Sequence, residues 1–155
     1  MKVFFYLGFQ LAILFITHAH AETVLSVKSE TDFGECVGYC HTVLVITAKK
    51  VVFTEYSTDK SEPPKSASRS TSDAEWLRLS KGAPLKIFSG LPLVIGDPDD
   101  ADQGSEMLEI ITDAQDKKST FDYGAKISGV ESYLEIIRGI RKQMSLKVDP
   151  SQVEG

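Results

Sequence analysis

The sequence contains few of the side chains that most often carry out catalysis or bind transition metals. Its 155 residues include three histidines, two cysteines and one tryptophan, and His41 is the one histidine outside the first 21 residues. The patterns Gly-x-Ser-x-Gly and His-Glu-x-x-His are absent, as is a phosphate-cradling glycine-rich loop before a helix. With one histidine left for proton transfer, acid–base catalysis would depend on carboxylates. These absences favour a non-enzymatic protein over an enzyme.

Positive charge and long apolar runs are also scarce. The chain has 17 Lys and Arg against 22 Asp and Glu, a net charge of −5. This balance argues against nucleic acid and anionic membranes as partners, because both require a basic face. The longest apolar segment, Val3–Ile16, is shorter than the roughly 20 residues that cross a bilayer.

Residues 1–21 have the organisation of a secretory signal peptide. Lys2 supplies the positive start, the apolar segment follows, and Ala19-His20-Ala21 provides the small residues that signal peptidase requires. We therefore expect cleavage after Ala21, a secreted or periplasmic protein, and no membrane span after cleavage. Loss of Lys2 changes the net charge to −6.

The rest of the chain predicts one domain at residues 22–149 and a short tail at 150–155. A domain of this size buries about two-thirds of its unfolded surface and needs no dense disulfide framework. Within it, residues 57–72 hold six serines and Pro63-Pro64 without any apolar period. Such a composition favours a mobile loop.

Runs of β-branched and aromatic residues predict five strands. A first strand is followed by two hairpins, each with a short polar connection. The predicted strands are Thr23–Lys28, His41–Ala48, Val51–Tyr56, Met107–Thr112 and Ser119–Tyr123.

Three helices are expected between and after these strands. Ser72 and Glu75 form a capping-box pattern before a short helix, and Pro84 begins a second one. At the C-terminus an apolar stripe with helical spacing predicts a longer amphipathic helix, with Arg138 among the residues facing out. The stripe is Val130, Leu134, Ile137 and Met144. The predicted class is α+β, an antiparallel sheet of about five strands with two short helices and a C-terminal amphipathic helix packed on one face.

Both cysteines lie in one glycine-rich turn, Gly34–Cys40, called the Cys turn below. A disulfide between Cys36 and Cys40 is favoured, because cysteine pairs of exported proteins are usually oxidised outside the cytoplasm. Gly34 and Gly38 also allow the backbone to turn tightly enough to bring the two cysteines together. Two alternatives remain open. Cys36, Cys40 and His41 could provide three ligands for zinc or copper, or Cys36 with His41 could form a reactive thiol.

A second candidate site is the acidic segment Asp97–Glu106, called the acidic loop below. Oxygen ligands at this density suit Ca²⁺, although the spacing is not that of an EF-hand and acidic loops are often solvated turns. We predict it as a ligand- or partner-binding loop. Its five carboxylates are Asp97, Asp99, Asp100, Asp102 and Glu106.

Four short motifs together resemble a group of small exported bacterial proteins of unknown function. The motifs are Phe33–Thr42, Leu91–Gly96, Pro98–Glu106 and Phe121–Gly124. The group pairs a Cys-x-Gly-Tyr-Cys turn with a later Pro-Asp-Cys-Ala-Asp-Gly-Gly-Ala-Glu-Trp segment before a strand. The resemblance implies that the Cys turn and the acidic loop lie near each other, and it implies no activity.

The chain departs from that group at three positions. Asp100 stands in place of a third cysteine, Gln103 in place of a glycine and Met107 in place of the tryptophan. Our leading hypothesis is an exported non-enzymatic module without a cofactor that binds an unknown protein or small ligand through the Cys turn and the acidic loop. The alternative is a metal-binding protein, whose site would join Cys36, Cys40 and His41 to Asp100 or Asp102, with zinc, copper or calcium as the candidate metals.

Overall fold

The computed structural model describes residues 22–98 and 103–148, which form one sheet and three helices. The strands are β1 (Val24–Asp32), β2 (Tyr39–Thr47), β3 (Lys50–Ser57), β4 (Lys65–Ser70), β5 (Val94–Ile95), β6 (Ser105–Thr112) and β7 (Asp116–Asp122). The helices are α1 (Asp73–Gly82), α2 (Leu85–Phe88) and α3 (Glu131–Val148). The predicted signal peptide at 1–21 and the predicted tail at 150–155 lie outside the described residues.

The strands form a seven-stranded sheet in the order β4-β3-β2-β1-β6-β7-β5. Neighbouring strands are antiparallel except β5 and β7, which are parallel. The α+β class is therefore right in outline. The predicted antiparallel sheet of about five strands is wrong, because the sheet is mixed and has two further strands, one at each edge.

The first additional strand, β4, lies within the 57–72 segment that we predict as a loop. It pairs with β3 in a register that runs from Glu55 opposite Lys65 to Lys50 opposite Ser70. An edge strand is held by backbone hydrogen bonds on one side and exposes most of its side chains, so it requires no apolar period. The serine-rich composition of this segment therefore does not reveal the strand.

The second additional strand, β5, consists of Val94 and Ile95 at the opposite edge. The segment just before it is also tied to β7, because the Thr120 amide donates to the Leu93 carbonyl at 2.9 Å. Two residues are too few to display a strand period, so hydrophobic patterning does not detect this element.

One face of the sheet packs against α3, and their apolar side chains form the core. The register places Val27 of β1 opposite both Ile46 of β2 and Ile110 of β6. The predicted stripe of α3 belongs to the same core cluster as these three residues, and Ile137 and Met144 of the stripe are fully buried. Burying one such side chain stabilises the fold by about 1.5–3 kcal/mol, so the stripe holds α3 on the sheet.

Helix α1 is capped at its N-terminus and hydrogen-bonded to α3. The Ser72 hydroxyl accepts a hydrogen bond from the Glu75 amide at 3.2 Å, which confirms Ser72 as the predicted N-cap of α1. The Tyr133 hydroxyl of α3 donates to the Leu79 carbonyl of α1 at 3.2 Å. Burial of this phenol raises the pKa of Tyr133 well above its usual range. Within the described part of the chain, no helix combines the length and apolar character needed to cross a membrane.

The other face of the sheet carries charged side chains from neighbouring strands. Lys28 of β1 is paired in register with Glu109 of β6, which is itself opposite Lys118 of β7. The hydrogen bond that Lys28 donates to Glu30 raises the pKa of the lysine, with a further contribution from the charges of Glu30 and Glu109. This face is therefore polar and its charges are largely matched.

Candidate binding surface at one end of the sheet

Several connections meet at one end of the sheet. Because neighbouring strands alternate in direction there, the β1–β2, β3–β4 and β7–α3 connections and the segment before β6 all lie at the same end. We call this the Cys-turn end. Its described residues are 33–38, 58–64, 96–98, 103–104 and 123–130.

The Cys turn is closed by a disulfide between Cys36 and Cys40, as predicted, with their Cα atoms 5.8 Å apart. Gly38 has a φ of 99°, a conformation that side chains with a Cβ rarely adopt. Thr58 binds both polar groups of Gly38: its amide donates to the Gly38 carbonyl at 2.8 Å, and its hydroxyl accepts from the Gly38 amide at 3.2 Å. The turn is therefore fixed both by its own crosslink and by the β3–β4 connection.

Two side chains beside the disulfide define the outer shape of the turn. Val37 lies at its tip and is 96% exposed. Tyr39 is half-buried, donates a hydrogen bond to the Pro63 carbonyl at 2.9 Å and lies under the Lys65 ammonium, which is 4.0 Å from the ring centroid. Tyr39 thus holds the β3–β4 connection against the turn and leaves the valine free to contact another molecule.

An aromatic pair joins the Cys turn to the acidic loop and to the start of the β7–α3 connection. The Phe33 and Tyr123 rings meet edge to face with centroids 4.8 Å apart, and the Tyr123 amide donates to the Gly104 carbonyl at 3.1 Å. Gly104 has a φ of 76°, and a Cβ placed on it would overlap the Phe33 ring. The described end of the acidic loop therefore lies beside the Cys turn, the arrangement that the resemblance implies.

Of the five predicted loop carboxylates, Asp97 and Glu106 are described, and they have different surroundings. Asp97 is exposed, and its amide donates to the Asp122 carboxylate at 3.0 Å. Glu106 belongs to strand β6 and its side chain is 0% exposed, so it is not available as a surface loop ligand. Asp99, Asp100 and Asp102 lie outside the described residues.

Glu106 is the centre of a buried ion cluster. Arg138 donates to it from Nε at 2.9 Å and from Nη2 at 2.7 Å, and Arg141 donates from Nη1 at 3.0 Å. Arg138 also donates to the Ala125 carbonyl at 2.8 Å, and Arg141 donates to the Ser29 hydroxyl. The cluster connects α3 to β6, to β1 and to the β7–α3 connection, so it fixes the position of the helix over this end of the sheet.

The predicted site residues do not include the arginines of this cluster, and the helical pattern predicts that Arg138 faces out. A signal for Glu106 was present in the sequence, because it alternates with Leu108 and Ile110 and must therefore share their buried face of β6. A buried carboxylate requires a cation or several donors. The arginine pair at positions 138 and 141 has the spacing of one helix face and provides that counter-charge.

The alternative metal site is only partly covered by the described residues. The disulfide leaves neither cysteine as a thiolate, which is the form that binds zinc or copper. His41 stacks on Tyr56 with centroids 5.3 Å apart, and its Nε2 is 3.6 Å from a Glu30 carboxylate oxygen. Residues 22–98 and 103–148 hold no cluster of three or more His, Cys, Asp or Glu suited to a metal ion.

Asp100 and Asp102 of that alternative site are not described, so the zinc, copper or calcium hypothesis stays a prediction. No protein-family model matches the chain, and the search of curated proteins finds no significant match.

Proposed function

We propose that this protein is an exported, non-enzymatic module that binds a partner protein through the Cys-turn end of its sheet. The observation that carries the proposal is Val37, an almost fully exposed apolar side chain at the tip of a disulfide-closed turn. A pre-organised apolar tip loses little conformational freedom on binding, which favours affinity. The disulfide also fits an oxidising compartment outside the cytoplasm.

The surroundings of Val37 support an interface rather than a catalytic centre. Tyr123 is 51% exposed at the same end and supplies an aromatic surface of the kind enriched in interfaces. The buried ionic groups Glu106 and Arg141 are hydrogen-bonded to each other, and Arg141 is also hydrogen-bonded to Ser29. Groups held in this way position the backbone but are not poised to transfer protons.

Site-specific photo-crosslinking tests the proposal. The full chain is expressed in its own host with p-benzoylphenylalanine at position 37, and in a matched control at position 77. Leu77 is a 60% exposed apolar residue on α1, beside Val24 at the other end of the sheet, so it tests an exposed position away from the Cys-turn end. Neither substitution removes a core contact.

The expected result is a discrete crosslinked product from position 37 that is absent from position 77. Replacement of Tyr123 by Ser should weaken that product, because it removes part of the same surface. Equal labelling from both positions, or no product from position 37, would show that the Cys-turn end does not contact a partner.

A further inference from the structure

A cavity lies between the C-terminal half of α3 and the covered face of the sheet at the Cys-turn end. Its volume is about 450 Å³, within the range of sites for small organic molecules. The β1, β2 and β3 strands provide its floor, α3 one wall, and Phe33 and Tyr123 its rim. It is therefore separate from the exposed tip of the Cys turn, although the two are adjacent.

The α3 wall of the cavity is cationic. Arg138, Arg141 and Lys142 all line it, because residues three and four apart lie on one helix face. Against these three cations stand two carboxylates: Glu106, which binds both arginines, and Glu55 of β3, which lines the same cavity. The cavity is thus net positive in a chain whose overall charge is −5.

Donor atoms of this wall are not all used by the fold. Within residues 22–98 and 103–148, the three hydrogen bonds of Arg138 use Nε and Nη2 but not Nη1, and its side chain is 27% exposed. Arg141 is 8% exposed, and its buried Nε has no hydrogen-bond partner in the described part of the chain. Arg138 Nη1 can therefore donate a charge-assisted hydrogen bond to one oxygen of a ligand carboxylate.

The other surfaces of the cavity define the rest of the ligand. Phe33, Phe53 and Tyr123 offer apolar and aromatic contacts, while Thr42 and Ser145 add hydroxyl groups. The nearby Glu55 disfavours a second negative charge, because like charges in a partly desolvated site repel each other. These features favour a ligand that carries one negative charge and an apolar or aromatic body.

We infer that this cavity binds a small amphipathic monoanion, with its carboxylate at Arg138 and Lys142 and its apolar body against Phe33 and Tyr123. The inference goes beyond the proposed function, because it assigns a small-molecule site that requires no partner at Val37. Either one can therefore fail while the other stands.

The probe for the experiment is 2-naphthoate, and the matched control probe is 2-naphthylmethylammonium, which has a similar shape and the opposite charge. Each is titrated into the ¹⁵N-labelled mature protein with its disulfide intact, and amide chemical shifts are followed. The variants are Lys142→Gln and Tyr123→Ala, which alter exposed side chains. Lys147→Gln is the control, because Lys147 is an exposed α3 residue that does not line the cavity.

The expected result is saturable shifts with 2-naphthoate at amides around the cavity, such as those of Thr42 and Gly124, and no saturable shifts with the cation. Lys142→Gln should weaken binding by about fivefold and Tyr123→Ala by a similar factor, while Lys147→Gln should change it less than twofold. Non-saturable shifts, equal binding of the cation, or unchanged affinity in both cavity variants would overturn the inference.

Discussion

Replacing Glu106 by Gln should destabilise the fold strongly, because it leaves two arginines without their shared counter-charge. The carboxylate is 0% exposed and receives three hydrogen bonds at 2.7–3.0 Å. Removing one partner of a buried ion pair typically costs about 3–5 kcal/mol. Arg138 is 27% exposed and can recover some hydration, so we expect the lower value, about 3 kcal/mol.

Urea unfolding at neutral pH measures this loss. With a slope of about 2 kcal/mol per M, the midpoint of Glu106→Gln should fall by about 1.5 M. The matched control is Glu109→Gln, three residues along the same strand, where the half-buried carboxylate lies on the open face opposite Lys118. That change should cost less than about 1 kcal/mol.

A double-mutant cycle identifies the cause of the loss. Combining Glu106→Gln with Arg141→Gln removes one of the unpaired charges, so the double variant should be more stable than the sum of the single losses implies, by about 1–3 kcal/mol. The reasoning is refuted if Glu106→Gln costs no more than Glu109→Gln, or if the two losses in the cycle are additive.

Two further predictions concern the glycine beneath Phe33 and the ion pair beside α1. Gly104→Ala should lower the free energy of unfolding by about 3 kcal/mol, because of the positive φ and the overlap with the Phe33 ring. The control Gly124→Ala, with a φ of 75° and no atom within 4 Å of its Cβ, should lower it by about 1 kcal/mol. Equal losses of stability in thermal unfolding would contradict the packing argument. Two hydrogen bonds from Arg69, at 2.6 and 2.7 Å, hold the pKa of Glu75 below its ordinary value of 4.5. The stability it adds, about 1 kcal/mol, is therefore fully present above pH 4.5 and is lost as pH falls through the lower folded-state pKa. The stability difference between wild type and Glu75→Gln should shrink from pH 7 to pH 2, and a constant difference would exclude this linkage.

The parts of the fold that the sequence predicts well are those with a clear hydrophobic period. The two hairpins and α3 each bury one face. Their patterns therefore predict the pairing of β2 with β3, the pairing of β6 with β7 and the buried stripe of α3 around Ile137. The edge strands β4 and β5 depend on backbone pairing rather than burial, and their side chains carry no such period. This is why the strand count was wrong while the α+β class was right.

The candidate site likewise has one part that the sequence predicts and one part that it does not. The disulfide could be predicted because it depends on two residues that are close in sequence. The ion cluster joins Glu106 to arginines more than thirty residues away, and such pairing depends on how α3 crosses the sheet. Helical periodicity predicts Arg138 on the solvent face, because it does not show that a buried carboxylate of β6 lies within reach of that position.

The most direct test of the central claim is crosslinking from position 37 in the intact chain and in a Cys36→Ser/Cys40→Ser variant. Loss of this short crosslink should lower stability by only about 2 kcal/mol, so the variant should remain folded while its turn becomes less ordered. We predict a discrete product from position 37 in the disulfide-bonded protein, a much weaker product in the serine variant, and none from position 77 in either. An equally strong product without the disulfide, or the same product from both positions, would contradict the claim that the rigid Cys turn is the binding surface.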